Sequence, residues 1–256
     1  FTDCYAGSPV CGPSRSVLMT GQHTGHTRVR GNSCQTGGIV IGKSRRMHLT
    51  DKDVTVGNVL QGAGYRTCLV GKWHLEGYQP EAIPLNRGFD EFHGWQMWAM
   101  ETHEPIYYPA KRFFNREIKS LPENADGQRG LYETDLVFRQ GREFIRRQRD
   151  QPFFLVLTPI APHDPLVAPD DGPYAAEVWP ASAKTYATMV HYLDFGVGSI
   201  GQADGIDAPA LLGEGSVSVL VDPRLVLPIA EDQGHLVRAG GTLKDLSGLR
   251  EGRVEV

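Results

Sequence analysis

The sequence has few cysteines and no long apolar run, and each shortage excludes a class of protein. The four cysteines (Cys4, Cys11, Cys34 and Cys68) are too few and too scattered for a disulfide scaffold or a CxxC metal site. No apolar stretch approaches the ~20 residues that a membrane-spanning helix needs, so we expect no membrane span. Cys4 and Cys34 could form a disulfide in a secreted protein, a point that the sequence leaves open.

An excess of basic residues is also lacking. The chain of 256 residues has 26 Lys and Arg against 30 Asp and Glu, a formal net charge of −4, and we therefore expect no nucleic acid partner. With 40% apolar and 22% charged residues, the composition is that of an ordinary globular protein. The length allows one α/β domain with a sizeable core or two small domains.

The chain begins at Phe1 without a methionine, and residues 1–10 are mixed and polar, unlike a signal peptide. A motif follows within a dozen residues. We therefore expect that the true N-terminus lies upstream, and the compartment cannot be read from this end.

Hydrophobic periodicity and turn residues predict alternating helices and strands. The predicted helices are 13–20 (opened by Pro13 and ended by Gly21), Val54–Gln61 (capped by Asp51 or Asp53), 134–149 (capped by Thr134) and a fourth marked from Tyr186 to Ile200. The predicted strands are Tyr65–Gly71, Phe153–Leu157 and Leu225–Ala230, and 22–50 and 77–130 read as long loops. This rhythm predicts one α/β domain over residues 1–256, with a mainly parallel sheet flanked by helices.

Polar clusters follow the predicted strands. Lys72 and His74 follow the first strand, and His163 follows the second. Because ligands collect at the carboxyl ends of such strands, we expect these side chains to share one active site. His74 is two residues beyond Lys72 and would point to the same side if the strand continues.

A fourth cluster opens a helix: Cys11-Gly12-Pro13-Ser14-Arg15, followed by Leu18-Met19-Thr20-Gly21. Backbone N–H groups and the helix dipole favour an anion at this position, and Arg15, one turn on, adds a positive charge. On position alone, a buried structural cysteine is the stronger interpretation of Cys11.

This cluster resembles the Cys-x-Pro-Ser-Arg signature of the type I sulfatases, of the alkaline phosphatase superfamily. The resemblance recurs in the family's order along almost the whole chain: Gly71-Lys72-Trp73-His74, Arg87-Gly88-Phe89-Asp90, Phe92-x-Gly94 and Ala161-Pro162-His163-x-Pro165. It implies an enzyme that hydrolyses sulfate esters of small molecules or carbohydrates, and a periplasmic, secreted or lysosomal location.

The resemblance also implies the role of each residue. A separate formylglycine-generating enzyme would oxidise Cys11 to formylglycine (3-oxoalanine), whose hydrate attacks sulfur. Arg15 would steady the hydrate, His74 would contact it, Lys72 would bind the sulfate, and His163 would bind the sulfate and protonate the leaving oxygen.

Family members hold calcium, with magnesium as the alternative ion, through oxygen ligands. Here the implied ligands are the formylglycine at Cys11 together with Asp232 and Gln233, where the family has Asp-Asn, and Arg253 stands at the place of a sulfate-binding lysine. The family's Asp-Asp pair upstream of the cysteine has no match, unless Asp3 or Asp164 replaces it. Residues 201–222 do not resemble the family and are interpreted as an insertion or a corrupted reading frame.

We therefore expect a sulfatase domain truncated at both ends, which alone binds metal weakly and shows no turnover. Two alternatives stay open: a formylglycine-dependent hydrolase of phosphate or phosphonate esters, and a non-catalytic fragment that binds anions.

Overall fold

A computed structural model describes residues 5–41, 43–75, 79–96, 105–201, 210–214 and 217–221. Its centre is a seven-stranded sheet. Three parallel strands form the middle of that sheet, in the order β4 (Glu91–Trp95), β3 (Arg66–Lys72) and β7 (Phe153–Thr158). Antiparallel strands extend both edges: β5 (Lys111–Phe114) and β6 (Glu117–Ser120) beyond β4, and β9 (Val217–Val221) and β8 (Ala210–Glu214) beyond β7.

Helices cover both faces of the sheet, which confirms the predicted α/β class. They are α1 (Cys11–Thr20), α2 (Val56–Gly62), α3 (Glu133–Gln148) and α4 (Ala181–Gly201). A separate hairpin joins β1 (Ile39–Ile41) to β2 (Ser44–Arg46). Across the described ranges, no helix is both long enough and apolar enough to cross a membrane.

Side chains of β3 point alternately to the two faces of the sheet, and the core is divided into two layers. Leu69 belongs to a buried cluster that includes Met19 of α1 and Leu60 of α2. Its neighbour Val70 belongs to a second buried cluster on the opposite face, together with Val137 of α3. Successive side chains of a strand point to opposite faces, so both faces of β3 are buried, as the unbroken apolar run predicts.

The first helix was predicted to open at Pro13, but α1 begins at Cys11, with Val10 as an extended N-cap. Pro13 is therefore its third residue, and the cysteine is the first residue of the helix. Gly21 ends α1 in the left-handed conformation with φ of 67°, as predicted.

The predicted caps of the next two helices are wrong. Thr55 caps α2 in a capping box with Asn58, because Asp53 instead accepts hydrogen bonds from Thr50. Thr134 lies buried inside α3 and does not cap it.

Residues 77–130 were predicted to form a loop with little regular structure, yet they contain β4, β5 and β6. The strand β4 escaped the sequence pattern because it is short and contains Gly94. The 22–50 segment likewise contains the β1–β2 hairpin, and 201–222 contains β8 and β9. The predicted strand Leu225–Ala230 lies outside the described residues, as does Cys4 of the suggested disulfide.

Two glycines allow the central strands to approach. Gly94 pairs with Gly71 in the parallel register, and a Cβ added at Gly94 would lie 1.9 Å from the Gly71 carbonyl oxygen. Gly71 has φ of 119°, and its own added Cβ would lie 2.2 Å from the carbonyl oxygen of Thr158. Any side chain here would separate β3 from its partners.

We predict that Gly94→Ala lowers the free energy of unfolding by about 1–3 kcal/mol or more, because the clash is with backbone that cannot move aside. Gly62→Ala is the matched control, since an added Cβ there meets nothing within 4 Å. Urea unfolding followed by circular dichroism measures both, and equal stability of the two variants would contradict the assigned close approach.

Candidate active site

The carboxyl ends of β3 and β7 and the N-terminus of α1 meet in a small cleft. Its volume is about 260 Å³. It is lined by Cys11, Arg15, Lys72, Pro159, Ile160, Pro162 and His163. Four residues predicted from the sequence are therefore brought together, and none of the described lining residues carries a carboxylate.

Cys11 lies where the helix presents its first backbone N–H groups. The Asn32 amide nitrogen donates to its Sγ at 3.3 Å, and the same side chain accepts from the Gly12 N–H at 2.9 Å. Burial raises the pKa of the Cys11 thiol, but Lys72, Asn32 and Arg15 together outweigh it, so the net pKa is lowered. Sequence reasoning missed Asn32, which lies in a segment without a motif.

Arg15 is buried, and its Nη1 donates to the carbonyl oxygen of Lys72. The Thr158 hydroxyl donates to the same oxygen at 2.8 Å. Burial lowers the pKa of Arg15 to about 10, which still leaves the guanidinium charged at neutral pH. The end of β3 is thus fixed from both α1 and β7.

Lys72 is only 3% exposed, which excludes a solvated strand end. Burial, and next the charge of Arg15, lower its pKa to about 7. Its interactions with Cys11 oppose that shift. Near pH 7 the side chain is therefore divided between the neutral amine and the ammonium, and an anion in the cleft would favour the ammonium.

His74 is not among the lining residues of the cleft, but it interacts electrostatically with Lys72, Arg15 and His163. The strand ends at Lys72, and His74 adopts a left-handed φ of 58°, so the assumption of a continuing strand is wrong. Its Nε2 accepts from Arg46 Nη1 at 2.9 Å. Burial, followed by the charges of Lys72, Arg15, Arg46 and His163, lowers its pKa to about 2, so this imidazole is neutral.

His163 lies in the loop after β7. The backbone N–H of His163 donates to the Ile160 carbonyl oxygen at 3.0 Å. The Tyr107 hydroxyl donates to the backbone carbonyl oxygen of His163. Its Nδ1 donates to the Asp164 carbonyl oxygen, which leaves Nε2 as the nitrogen for chemistry. Burial lowers the pKa of His163, partly offset by Asp164.

Glu133, the first residue of α3, contacts the backbone of a residue that lines the cleft. It was not identified from the sequence. It is fully buried, and its Oε2 accepts from the N–H of Ile160 at 3.1 Å. Burial raises its pKa to about 7, while Arg112 and Arg15 oppose that shift. Nothing in the pattern Glu133-Thr134-Asp135 distinguishes this acid from ordinary residues of a helix first turn.

The described residues of the cleft do not form a calcium site by themselves, because their side chains are cationic or neutral. Asp232, Gln233 and Arg253 lie outside the described residues, as does Asp3, and Asp164 contacts His163 through its backbone. In the described ranges, one His/Cys/acid group has metal-ligand spacing: Cys68, Glu91 and His93, which lie away from the cleft towards the amino ends of β3 and β4.

Comparison with known proteins agrees with this geometry. A family model described as Sulfatase matches residues 1–203, and the chain belongs to the sulfatase family. It is 30% identical over 217 residues to an N-acetylgalactosamine-6-sulfatase of Sus scrofa, covering 78% of this chain and 38% of that protein. It is 33% identical over 185 residues to an arylsulfatase of Klebsiella aerogenes, covering 65% of this chain and 36% of that protein.

A solved structure also resembles the chain. The crystal structure of Ps i-CgsB matches with a TM-score of 0.60 and 27% identity, covering 78% of this chain and 45% of that one. The chain therefore spans less than half the length of these relatives.

We predict that Lys72→Met stabilises the protein while it weakens the site, because methionine fills the same space without a buried charge. A lysine whose pKa falls from 10.5 to about 7 on folding binds fewer protons when folded, so its stability penalty shrinks as pH rises from about 7 to 10.5. Thermal melting across this window should show the upward slope in the parent protein and a smaller slope in the variant. A variant that melts lower than the parent at pH 7 would contradict the burial of an unfavourable charge.

Proposed function

We propose that this chain supplies the nucleophile and the anion-binding groups of a sulfatase, an enzyme that hydrolyses sulfate monoesters. The main support for this proposal is the composition of the cleft. Cys11 lies at a helix N-terminus beside Arg15, Lys72 and His163, with no carboxylate among the described lining residues. Such a cleft favours a tetrahedral anion over a neutral or cationic substrate.

The charges of the cleft suit the binding step. Arg15 is a permanent guanidinium held by the Lys72 carbonyl oxygen. Lys72, with a pKa of about 7, becomes fully protonated beside a bound sulfate, because an anion at contact distance favours the charged form. Binding near pH 7 therefore raises the fraction of Lys72 that is protonated and concentrates positive charge where the transition state gains negative charge.

The nucleophile would be formylglycine derived from Cys11, which requires a formylglycine-generating enzyme as a partner. An oxygen of its hydrate forms a bond to sulfur while the bond from sulfur to the alcohol oxygen breaks. Asn32 and the helix N-terminus hold the Cys11 position, and Arg15 steadies the group there.

The two histidines have different proposed roles in the reaction. His74 stays neutral, chiefly because it is buried and next because cationic groups surround it, and its ring accepts a hydrogen bond from Arg46. The Nδ1–H of His163 donates to the Asp164 carbonyl oxygen. Once the ring is protonated, its Nε2 donates a proton to the leaving alcohol oxygen. Proline on both sides restrains this loop.

A calcium ion, or magnesium as the alternative, would be held by the formylglycine together with Asp232 and Gln233, and Arg253 would add a sulfate contact. The ion would neutralise charge on the sulfate and orient the hydrate. The substrate class follows from the relatives: N-acetylgalactosamine-6-sulfatases are named for a sulfated sugar, and we propose a carbohydrate sulfate ester here.

We predict that Cys11 is converted when the protein, expressed from its complete gene, is produced together with a formylglycine-generating enzyme. Mass spectrometry of the tryptic peptide should show loss of the thiol in favour of an aldehyde. The Cys34 peptide is the internal control and should keep its thiol. An unmodified Cys11 in folded protein would argue strongly against the proposed nucleophile.

We further predict that His163→Ala lowers turnover of p-nitrophenyl sulfate on the order of 10²-fold or more, the scale of losing one transition-state donor. His191→Ala, an exposed histidine on α4, is the matched control and should retain the parent rate. Hydrolysis of p-nitrophenyl phosphate is measured in parallel. A faster phosphate reaction in the parent enzyme would favour the phosphoryl alternative.

A further inference from the structure

A second, larger cavity lies in the segment that links α1 to the β1–β2 hairpin. Its volume is about 560 Å³, and its lining includes His26, Arg28 and Arg30. Asp53 is the one acid among its described lining residues, and Arg28 already neutralises it through an ion pair of 2.6 Å. The lining therefore has a positive charge that no acid of the cavity balances.

Two chain segments place this cavity directly beside the active-site cleft. Gly31 and Ser33 line the cavity, and Asn32 between them contacts the Cys11 sulfur. Met47 also lines it, and the preceding residue, Arg46, contacts His74. Each segment therefore lines the cavity at one residue and contacts Cys11 or His74 through the side chain of the neighbouring residue.

Arg30 is the cationic group best suited to bind a ligand. It is exposed, and its Nε donates to the Thr27 carbonyl oxygen at 2.9 Å, which fixes the guanidinium at the cavity wall. Its two Nη groups make no hydrogen bond to any described residue, so they are available to a carboxylate or sulfate oxygen. Arg28, by contrast, is committed to Asp53.

We propose that this cavity is a second anion subsite, which binds an anionic group on the sugar next to the one whose sulfate ester is cleaved. The inference rests on the proposed function and narrows it to oligosaccharides that carry anionic groups on adjoining sugars. The anion is a sulfate or a uronate carboxylate, since both offer oxygens to a guanidinium. Arg30 makes the principal contact.

The test is binding affinity, measured by calorimetry on the protein expressed from its complete gene. Three disaccharides share one sulfated sugar and differ in the second sugar, which is neutral, sulfated or a uronic acid. We expect at least one anionic disaccharide to bind about tenfold more tightly than the neutral one, as one charge-assisted contact would give. Whichever anion gains more identifies the natural group.

Arg30→Ala should abolish the preference for the anionic disaccharide over the neutral one, and Arg30→Lys should keep part of it. Arg149→Ala, an exposed arginine at the end of α3, is the matched control and should keep the tenfold preference. Melting temperatures check that each variant is folded.

The outcomes separate the two proposals. A preference that Arg30→Ala removes supports the subsite, and absence of hydrolysis alongside it would overturn only the proposed reaction. Equal affinity for all three disaccharides, or a preference that survives in Arg30→Ala, would overturn the subsite even if sulfate is released.

Discussion

Arg15 and Lys72 are buried next to each other at the carboxyl end of β3, and the burial of these two basic groups is the constraint around which the site is organised. Arg15 stays charged and is held by the Lys72 carbonyl oxygen, while the pKa of Lys72 falls to about 7. Keeping a charge away from water is unfavourable, and an anion bound in the cleft would offset that cost.

Glu133 limits this cost without cancelling it. Its buried carboxylate interacts electrostatically with Arg15 and also accepts a hydrogen bond from the Ile160 N–H. Its own N–H donates to the Tyr107 carbonyl oxygen, and the Tyr107 hydroxyl holds His163. One helix terminus therefore supports both the guanidinium and the histidine loop, which couples the geometry of α3 to that of the site.

The sheet centre makes this arrangement possible. Gly71 and Gly94 allow β3 and β4 to approach, and Thr158 at the end of β7 reaches the Lys72 carbonyl oxygen because no side chain intervenes. The glycine of the Gly-Lys-Trp-His segment therefore serves packing, whereas chemical roles are proposed for the lysine and the histidine. The same short motif therefore contains a residue needed for strand packing and residues proposed for the reaction.

The sequence by itself determined the class of fold and the buried runs of β3 and β7, because apolar periodicity is a local property. Through its motifs, which resemble those of the sulfatases, it also predicted Cys11, Arg15, Lys72, His74 and His163 as site residues. It could not give β4, the true caps of α2 and α3, or the turn at His74, since each depends on partners distant along the chain. Asn32, Arg46 and Glu133 have no local signature at all. Only the tertiary structure brought them near the cleft. Burial first, and neighbouring charges next, shift the pKa values of Lys72, His74 and Glu133, and both effects depend on what surrounds a side chain in space.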